Sequence, residues 1–262
     1  MNQLQTQRSE YWVNEFDVTD ADIEQIYNHF LEVEIPQTSE QLTQVIIAGR
    51  VAQERNRLKK LLSGRAVYQP REQYTEGDEL VFPALKYAQG TVEGVREGFE
   101  PQQGEFDVIQ VKINGKQREF AAKLPGEHKL NLNDGETYDP VDDVDVDAIY
   151  EEFGPLIVDQ VTAALEERSE FVRLSEQWFV KQLLAEVNIG HLHLTEAILE
   201  VSEGGPLPTE EILGQLDMDD TLKPAVLRFS LNYALANDPR FDEVGRPDHV
   251  AWYLRRLEPE GV

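Results

Sequence analysis

Seven cations stand in the run RVAQERNRLKKLLSGRAVYQPR: Arg50, Arg55, Arg57, Lys59, Lys60, Arg65 and Arg71, against a single acid, Glu54. Guanidinium and ammonium groups at this density can neutralise backbone phosphates, which positions a duplex without reading its bases. Carried on an exposed amphipathic helix, the same residues could equally pair with acidic surfaces of their own chain. A sparser set lies near the C-terminus. There Lys223 and Arg228 are accompanied by Ser230, Asn232 and Asn237, with no acid between Thr221 and Asn237, and Arg240, Arg246, Arg255 and Arg256 follow. Asp238, Asp242, Glu243 and Asp248 interrupt this second set, so a protein-binding surface competes with a nucleic-acid one. The expected nucleic-acid contacts are therefore the seven cations from Arg50 to Arg71, together with Lys223, Arg228 and Arg246.

Other chemistry finds less support. In DVDVDAIYEEFG the acids Asp143, Asp145 and Asp147 alternate as in a calcium loop. Ala148 stands where the tight turn requires glycine, however, and Gly154 where a bidentate glutamate should be. His191 and His193 sit two apart with Glu196 nearby, but no further histidine is close in sequence, so capping and packing is the simpler reading. Gly90, Gly94 and Gly98 recur every four residues among strand-like sequence and match neither a phosphate-binding loop nor a dinucleotide fingerprint. No serine lies in a nucleophile-elbow context, and no carboxylate pair divides into an acid and a base. The expectation is a non-enzymatic protein with no cofactor and no metal.

Composition sets the surroundings of these residues. The chain has 262 residues, no cysteine, and 24 Lys plus Arg against 50 Asp plus Glu, for a net charge of −26. Disulfides, thiolate metal sites and cysteine nucleophiles are excluded together. The charge repels bulk nucleic acid and membrane phosphate, so any DNA contact must be local, and it favours a basic protein partner. Adaptation to high salt is a rival origin of the acidity. The start MNQLQTQRSEYW has no basic region followed by an apolar run, and no stretch is long and apolar enough to span a membrane, so the chain reads as cytoplasmic.

The periodicities that must position these residues imply an α+β protein of several modules. After an N-terminal tail at 1–18, Thr19 caps a helix whose Ile23, Ile26, Tyr27, Phe30 and Leu31 share one face. Pro36 breaks it, Ser39 caps a second helix reaching about Ser63, and Gly64 leads into a strand at Ala66, Val67 and Tyr68. Helix, turn, helix and strand suggest a winged helix over 19–76. Over 77–132 the period shortens, and Asn114-Gly115 between VIQVKI and KQREFAA predicts a hairpin within a small SH3-like barrel. Nine acids and no Lys or Arg between Asp134 and Glu152 read as a linker over 133–152. A helical region follows over 153–190, with Pro155 in its first turn and a strand giving way to a helix at Ser175. The last unit, 191–262, has Thr195 and Thr209 as helix caps, Gly204-Gly205 as a stop, and a third helix with Val226, Leu227, Leu231 and Leu235 on its core face.

From about Leu192 to Leu257, the order helix, GGPLPTEEIL, helix, ANDPRFDEVG and an aromatic-rich last strand resembles the HARE-HTH winged helix. That family includes the acidic delta subunit of bacterial RNA polymerase and parts of some restriction and chromatin proteins. The glycine-tryptophan ending usual there is replaced by Trp252-Tyr253-Leu254-Arg255. The resemblance implies a role in transcription or DNA transactions, with DNA, RNA polymerase or another protein complex as partner. The expected function is thus a DNA-binding or docking factor. The alternative is an acidic interaction module that binds a basic partner, or mimics DNA, without binding DNA itself.

Overall fold

A computed structural model describes residues 4–100, 104–132, 144–203, 206–245 and 250–257. In chain order its main elements are α1 (Asp20–Val33), β1 (Gln37–Thr38), α2 (Ser39–Leu62), β2 (Ala66–Val67), β3 (Glu79–Phe82), β4 (Ala88–Glu100), β5 (Gly104–Ile113) and β6 (Lys116–Ala122). Then come α3 (Val146–Glu166), β7 (Phe171–Leu174), β8 (Gln177–Val180), α4 (Ile189–Val201), β9 (Leu207–Pro208), α5 (Thr209–Leu213), α6 (Pro224–Ala236), β10 (Phe241–Glu243) and β11 (Ala251–Leu254). The protein is α+β. The chain forms two compact units, one from residues 1–15 and 50–146, the other from 16–49 and 147–262. Residues 50–146 of the first are therefore an insertion in the sequence of the second, which residues 1–15 precede.

The interrupted unit contains the same series of elements twice. α1, β1, α2, α3, β7 and β8 make one module, and α4, β9, α5, α6, β10 and β11 the other. Each closes on a three-stranded antiparallel sheet with its last strand central, in the orders β1-β8-β7 and β9-β11-β10. The registers also correspond, Gln37 lying opposite Trp178 and Leu207 opposite Trp252. Two residues beyond each of these pairs, the helix after the short strand begins with a buried hydroxyl residue. In the first module Ser39 Oγ accepts hydrogen bonds from Trp178 Nε1 (3.0 Å) and Thr162 Oγ1 (2.8 Å). In the second, Asn232 Oδ1 accepts from Trp252 Nε1 (2.9 Å) and Thr209 Oγ1 (2.6 Å). Each node ties the last strand to the second and third helices, and satisfies an indole N–H that burial would otherwise leave without a partner.

Apolar spacing explains the helices around these nodes. Ile23, Ile26 and Phe30 bury one face of α1, and Thr19 with Asp22 forms its capping box. Ile157, Val161 and Leu165 do the same for α3, and Leu231 and Leu235 for α6. Within the unit Phe229 of α6 meets Phe179 of β8 edge-on at 5.8 Å, and Ser230 Oγ accepts the Ala185 N–H at 2.8 Å.

The inserted unit is built on a five-stranded sheet in the order β2-β3-β4-β5-β6, with β2 parallel to β3 and the rest antiparallel. Asn114 and Gly115 turn β5 into β6, both with positive φ (49° and 75°), as a two-residue hairpin turn requires. Leu80, Phe82, Val92, Ile109, Val111 and Ile113 fill its core. The Lys123 and Leu124 N–H groups donate to Glu72 and Pro70 carbonyls (2.9 Å each), and Tyr68 OH donates to Ala121 O at 2.6 Å. The chain after β2 is thereby bonded to the end of β6, which curls the sheet.

Several expected boundaries shift. The strand at Ala66-Val67 pairs with β3, so the sheet of the first module comes instead from β7 and β8, beyond the insertion. The region 153–190 is a helix plus a hairpin, and Ser175 sits at the hairpin turn with φ 53° rather than at a helix cap. α3 begins at Val146, inside the expected linker, which puts Pro155 in mid-helix; residues 133–143 lie outside the described set. Asn188 caps α4 through its side chain, whereas Thr195 is buried within that helix. Thr209 spends its hydroxyl on Asn232 instead of capping. Residues 4–15 are no tail: Leu4, Tyr11 and Trp12 are buried, and Trp12 Nε1 donates to Thr6 O at 2.8 Å.

Candidate interaction surfaces

The basic run occupies the second half of α2 and the segment after it, and three of its seven cations, Arg50, Arg65 and Arg71, contact named partners within the fold. Its one acid, Glu54, accepts the Gln5 N–H (2.8 Å), the Thr6 N–H (2.9 Å) and Thr6 Oγ1 (2.7 Å), anchoring the N-terminal segment by charge-assisted bonds. Arg50 Nη1 donates to Tyr11 OH at 3.3 Å. Arg65 donates to Leu61 O near the C-terminus of α2 and pairs with Glu79 at 3.0 Å, and Arg71 pairs with Glu72 at 3.3 Å. Arg55 is half-buried. Arg57, Lys59 and Lys60 are exposed and make no ion pair with a described residue. Arg57 and Lys60, three apart, share a side of the helix, from which Lys59 is rotated away.

The C-terminal cations are not brought together as a patch. Lys223 Nζ donates to Val33 O (2.7 Å) and pairs with Glu34 (3.3 Å), at the carbonyl end of α1 where a cation is favoured. Arg228 pairs with Glu210 at 2.6 Å, and Arg255 with Asp242 at 2.8 Å. Arg256 meets Glu200 at 3.1 Å. Arg240 bridges Asp238 (2.7 Å) and Glu196 (2.8 Å). Hydrogen bonding from Arg240 holds the Asp238 carboxyl below its ordinary value of 3.8, and the same contact raises the guanidinium. Arg246 lies outside the described residues. Two of the interruptions visible in the sequence, Asp238 and Asp242, are thus pairings in space.

The third helices of the two modules present different surfaces. In α6 the residues Val226, Phe229, Ser230, Leu231, Asn232 and Leu235 are buried, and the exposed Arg228 is paired. α3 instead turns a long face outward. Glu152, Leu156, Asp159, Ala163 and Glu166 are all exposed at steps of four and three residues, which keeps them on one strip. Leu156 is 43% exposed. The helix carries no Lys or Arg; Glu166 pairs with Arg173 of β7 at 2.8 Å, while Glu151, Glu152 and Asp159 make no ion pair with a described residue. Glu40 adds to this field. The hydrogen bond from Thr38 lowers its carboxyl below 4.5, and its charge, after burial, helps raise the Tyr150 phenol. Sequence reasoning missed this strip because it assigned Glu151 and Glu152 to a linker over 133–152 and began the helical region at 153, whereas α3 begins at Val146.

Of the remaining candidates, His191 has partners within the fold. His191 Nδ1 lies 3.3 Å from the Asn188 N–H in the capping arrangement of α4, and its Nε2 is 3.2 Å from Asp217 O. Asp143 of the acidic motif lies outside the described residues. Among the described residues no three His, Cys, Asp or Glu side chains are grouped to hold a metal, and no helix is long and apolar enough to cross a membrane. Comparison with known proteins returns no matching family model, no matching curated protein and no matching solved structure.

Proposed function

We propose that the protein is a non-enzymatic docking factor, built from two winged-helix modules and an SH3-like insertion, whose partner is a basic protein surface. The observation that carries this reading is the outward strip of α3, which offers Leu156 between Glu152 and Asp159, neither of which makes an ion pair with a described residue. In a winged helix that binds DNA, the third helix enters the major groove, where such a strip would face phosphate with the wrong sign. A Lys- and Leu-rich helix laid along it would meet both its charge and its apolar centre. The resemblance of the C-terminal module to the HARE-HTH group supports placing the partner in transcription or DNA processing, with RNA polymerase as one such assembly and the cytoplasm as the compartment.

A second reading, direct contact with DNA, is favoured by Arg57, Lys59 and Lys60, which are exposed and make no ion pair with a described residue. Lys223 and Arg228 give it no support, since both are engaged with acids. The two readings part in a binding experiment with a fluorescent Lys/Leu amphipathic helical peptide. Salt-sensitive binding should weaken about tenfold when Glu152→Gln, Leu156→Ala and Asp159→Asn are combined, since a loss of 1.4 kcal/mol is tenfold. Unchanged binding by that variant would remove α3 from the account.

A further inference from the structure

The β4–β5 hairpin of the inserted unit outruns the rest of its sheet. β3 pairs with β4 only over residues 88–91, and β6 pairs with β5 only as far as Asp107, whereas β4 and β5 stay paired out to Glu100 and Gly104. From Glu93 onward, the edge of β4 away from β5 has no backbone partner among the described residues. An unpaired strand edge displays alternate N–H and C=O groups that can accept an added strand.

The side chains on this arm also differ between its faces. Strand alternation puts Val95, Glu97 and Phe99 on one face, opposite Ile109, Asp107 and Glu105. Ile109 is wholly buried in the core, Val95 is 43% exposed and Phe99 is 71% exposed. Val95 and Phe99 thus carry apolar side chains along the arm beyond the point where other elements cover it, with Glu97 between them and Asp107 and Glu105 on the facing strand. On the opposite face the Phe106 ring lies against Gly98, where an added Cβ would come within 2.9 Å of it, so that aromatic is already used. Phe99 is left uncovered, and Glu97, Glu100, Glu105 and Asp107 around it make no ion pair with a described residue.

We infer that the free edge of β4 is a strand-addition site for an extended, basic peptide segment, with Phe99 as its anchor. Charge decides the occupant. A second copy of this chain would bring like-charged arms together, whereas a segment alternating Lys or Arg with aliphatic residues places cations against Glu97 and Glu105 and over the Phe99 ring. This surface belongs to the other unit of the chain and does not depend on the reading given to α3.

The test uses the full chain and a fluorescein-labelled peptide of alternating lysine and valine, followed by anisotropy at low salt. Binding is expected, about tenfold weaker for Phe99→Ala and retained by Phe99→Trp, because the tryptophan ring keeps the aromatic–cation contact that alanine removes. The same peptide N-methylated at alternate amides keeps its charge but cannot pair as a strand, and it should bind at least tenfold more weakly. The α3 variant Glu152→Gln/Asp159→Asn should leave the affinity unchanged. No binding by the wild-type chain would overturn the inference. So would equal affinity of the N-methylated peptide, equal affinity of Phe99→Ala, or loss of binding in the α3 variant. Because Phe99 is exposed, its substitution leaves the core intact, which circular dichroism verifies.

Discussion

Asn232→Leu should destabilise the second module by orphaning one hydrogen-bond donor, and its size can be worked out from the node. The Asn232 side chain is buried, and its Oδ1 is the acceptor for the Trp252 indole at 2.9 Å. Thr209 Oγ1 loses the same acceptor but keeps a second carbonyl, Val250 O, at 3.4 Å. The uncompensated loss is therefore the indole N–H, about 1–3 kcal/mol for a buried donor without a partner. For a unit of this size that lowers Tm by about 2–4 °C per kcal/mol. Trp252→Phe removes the donor itself, at the separate cost of a smaller ring. In the double variant no donor is orphaned, so its loss of stability should fall short of the sum of the singles by about 1–3 kcal/mol. Urea unfolding followed by circular dichroism measures the cycle. Ser39→Ala with Trp178→Phe should show coupling of the same sign in the first module, because Ser39 Oγ is the acceptor for Trp178. Strict additivity in both cycles would refute the claim that these nodes hold the modules together.

Asp238→Asn should destabilise the protein at neutral pH, with a difference from wild type that narrows in acid. The Asp238 carboxyl is depressed below 3.8 in the folded state, chiefly by its hydrogen bond with Arg240, so its contribution is present above that value and lost as pH falls through the folded pKa. Unfolding measured from pH 7 down to pH 3 checks this, and a constant difference would contradict it. Replacing Arg57, Lys59 and Lys60 together with glutamine should change stability by no more than about 0.5 kcal/mol per site, since they are exposed and unpaired among the described residues. If those cations touch DNA, the same variant should also flatten the salt dependence of duplex binding by about two to three ions. A large stability loss would show that they are structural.

Periodic segments were legible from sequence because their signal is local. The Ile23, Ile26 and Phe30 face of α1 and the Asn114-Gly115 turn lie where spacing and turn chemistry put them. The insertion was hidden because the strands closing the first module are distant in sequence: Trp178 reaches Ser39 across 139 positions. A short repeat could have pointed to it. Pro36-Gln-Thr-Ser39-Glu40 and Pro206-Leu-Pro-Thr209-Glu210 are spaced alike, as are Leu165 with Phe171 and Leu235 with Phe241. The cation runs were legible as composition but not as sites. Pairing of Lys223 with Glu34, or Arg65 with Glu79, depends on contacts that no window of sequence contains. The acidic strip of α3 was lost with the helix start, since a continuous acidic run resembles a linker and Pro155 resembles a first turn.

The proposed partner of this chain is a basic protein surface rather than DNA. The most direct test is one anisotropy experiment in which labelled Lys/Leu amphipathic peptide and labelled mixed-sequence duplex DNA are titrated with the intact protein at low and physiological salt. Peptide binding should weaken with salt and with the α3 variant, and duplex binding should be far weaker at both salts. Duplex binding as tight as peptide binding, lost when Arg57, Lys59 and Lys60 are neutralised, would contradict this reading and make the end of α2 a DNA-binding surface.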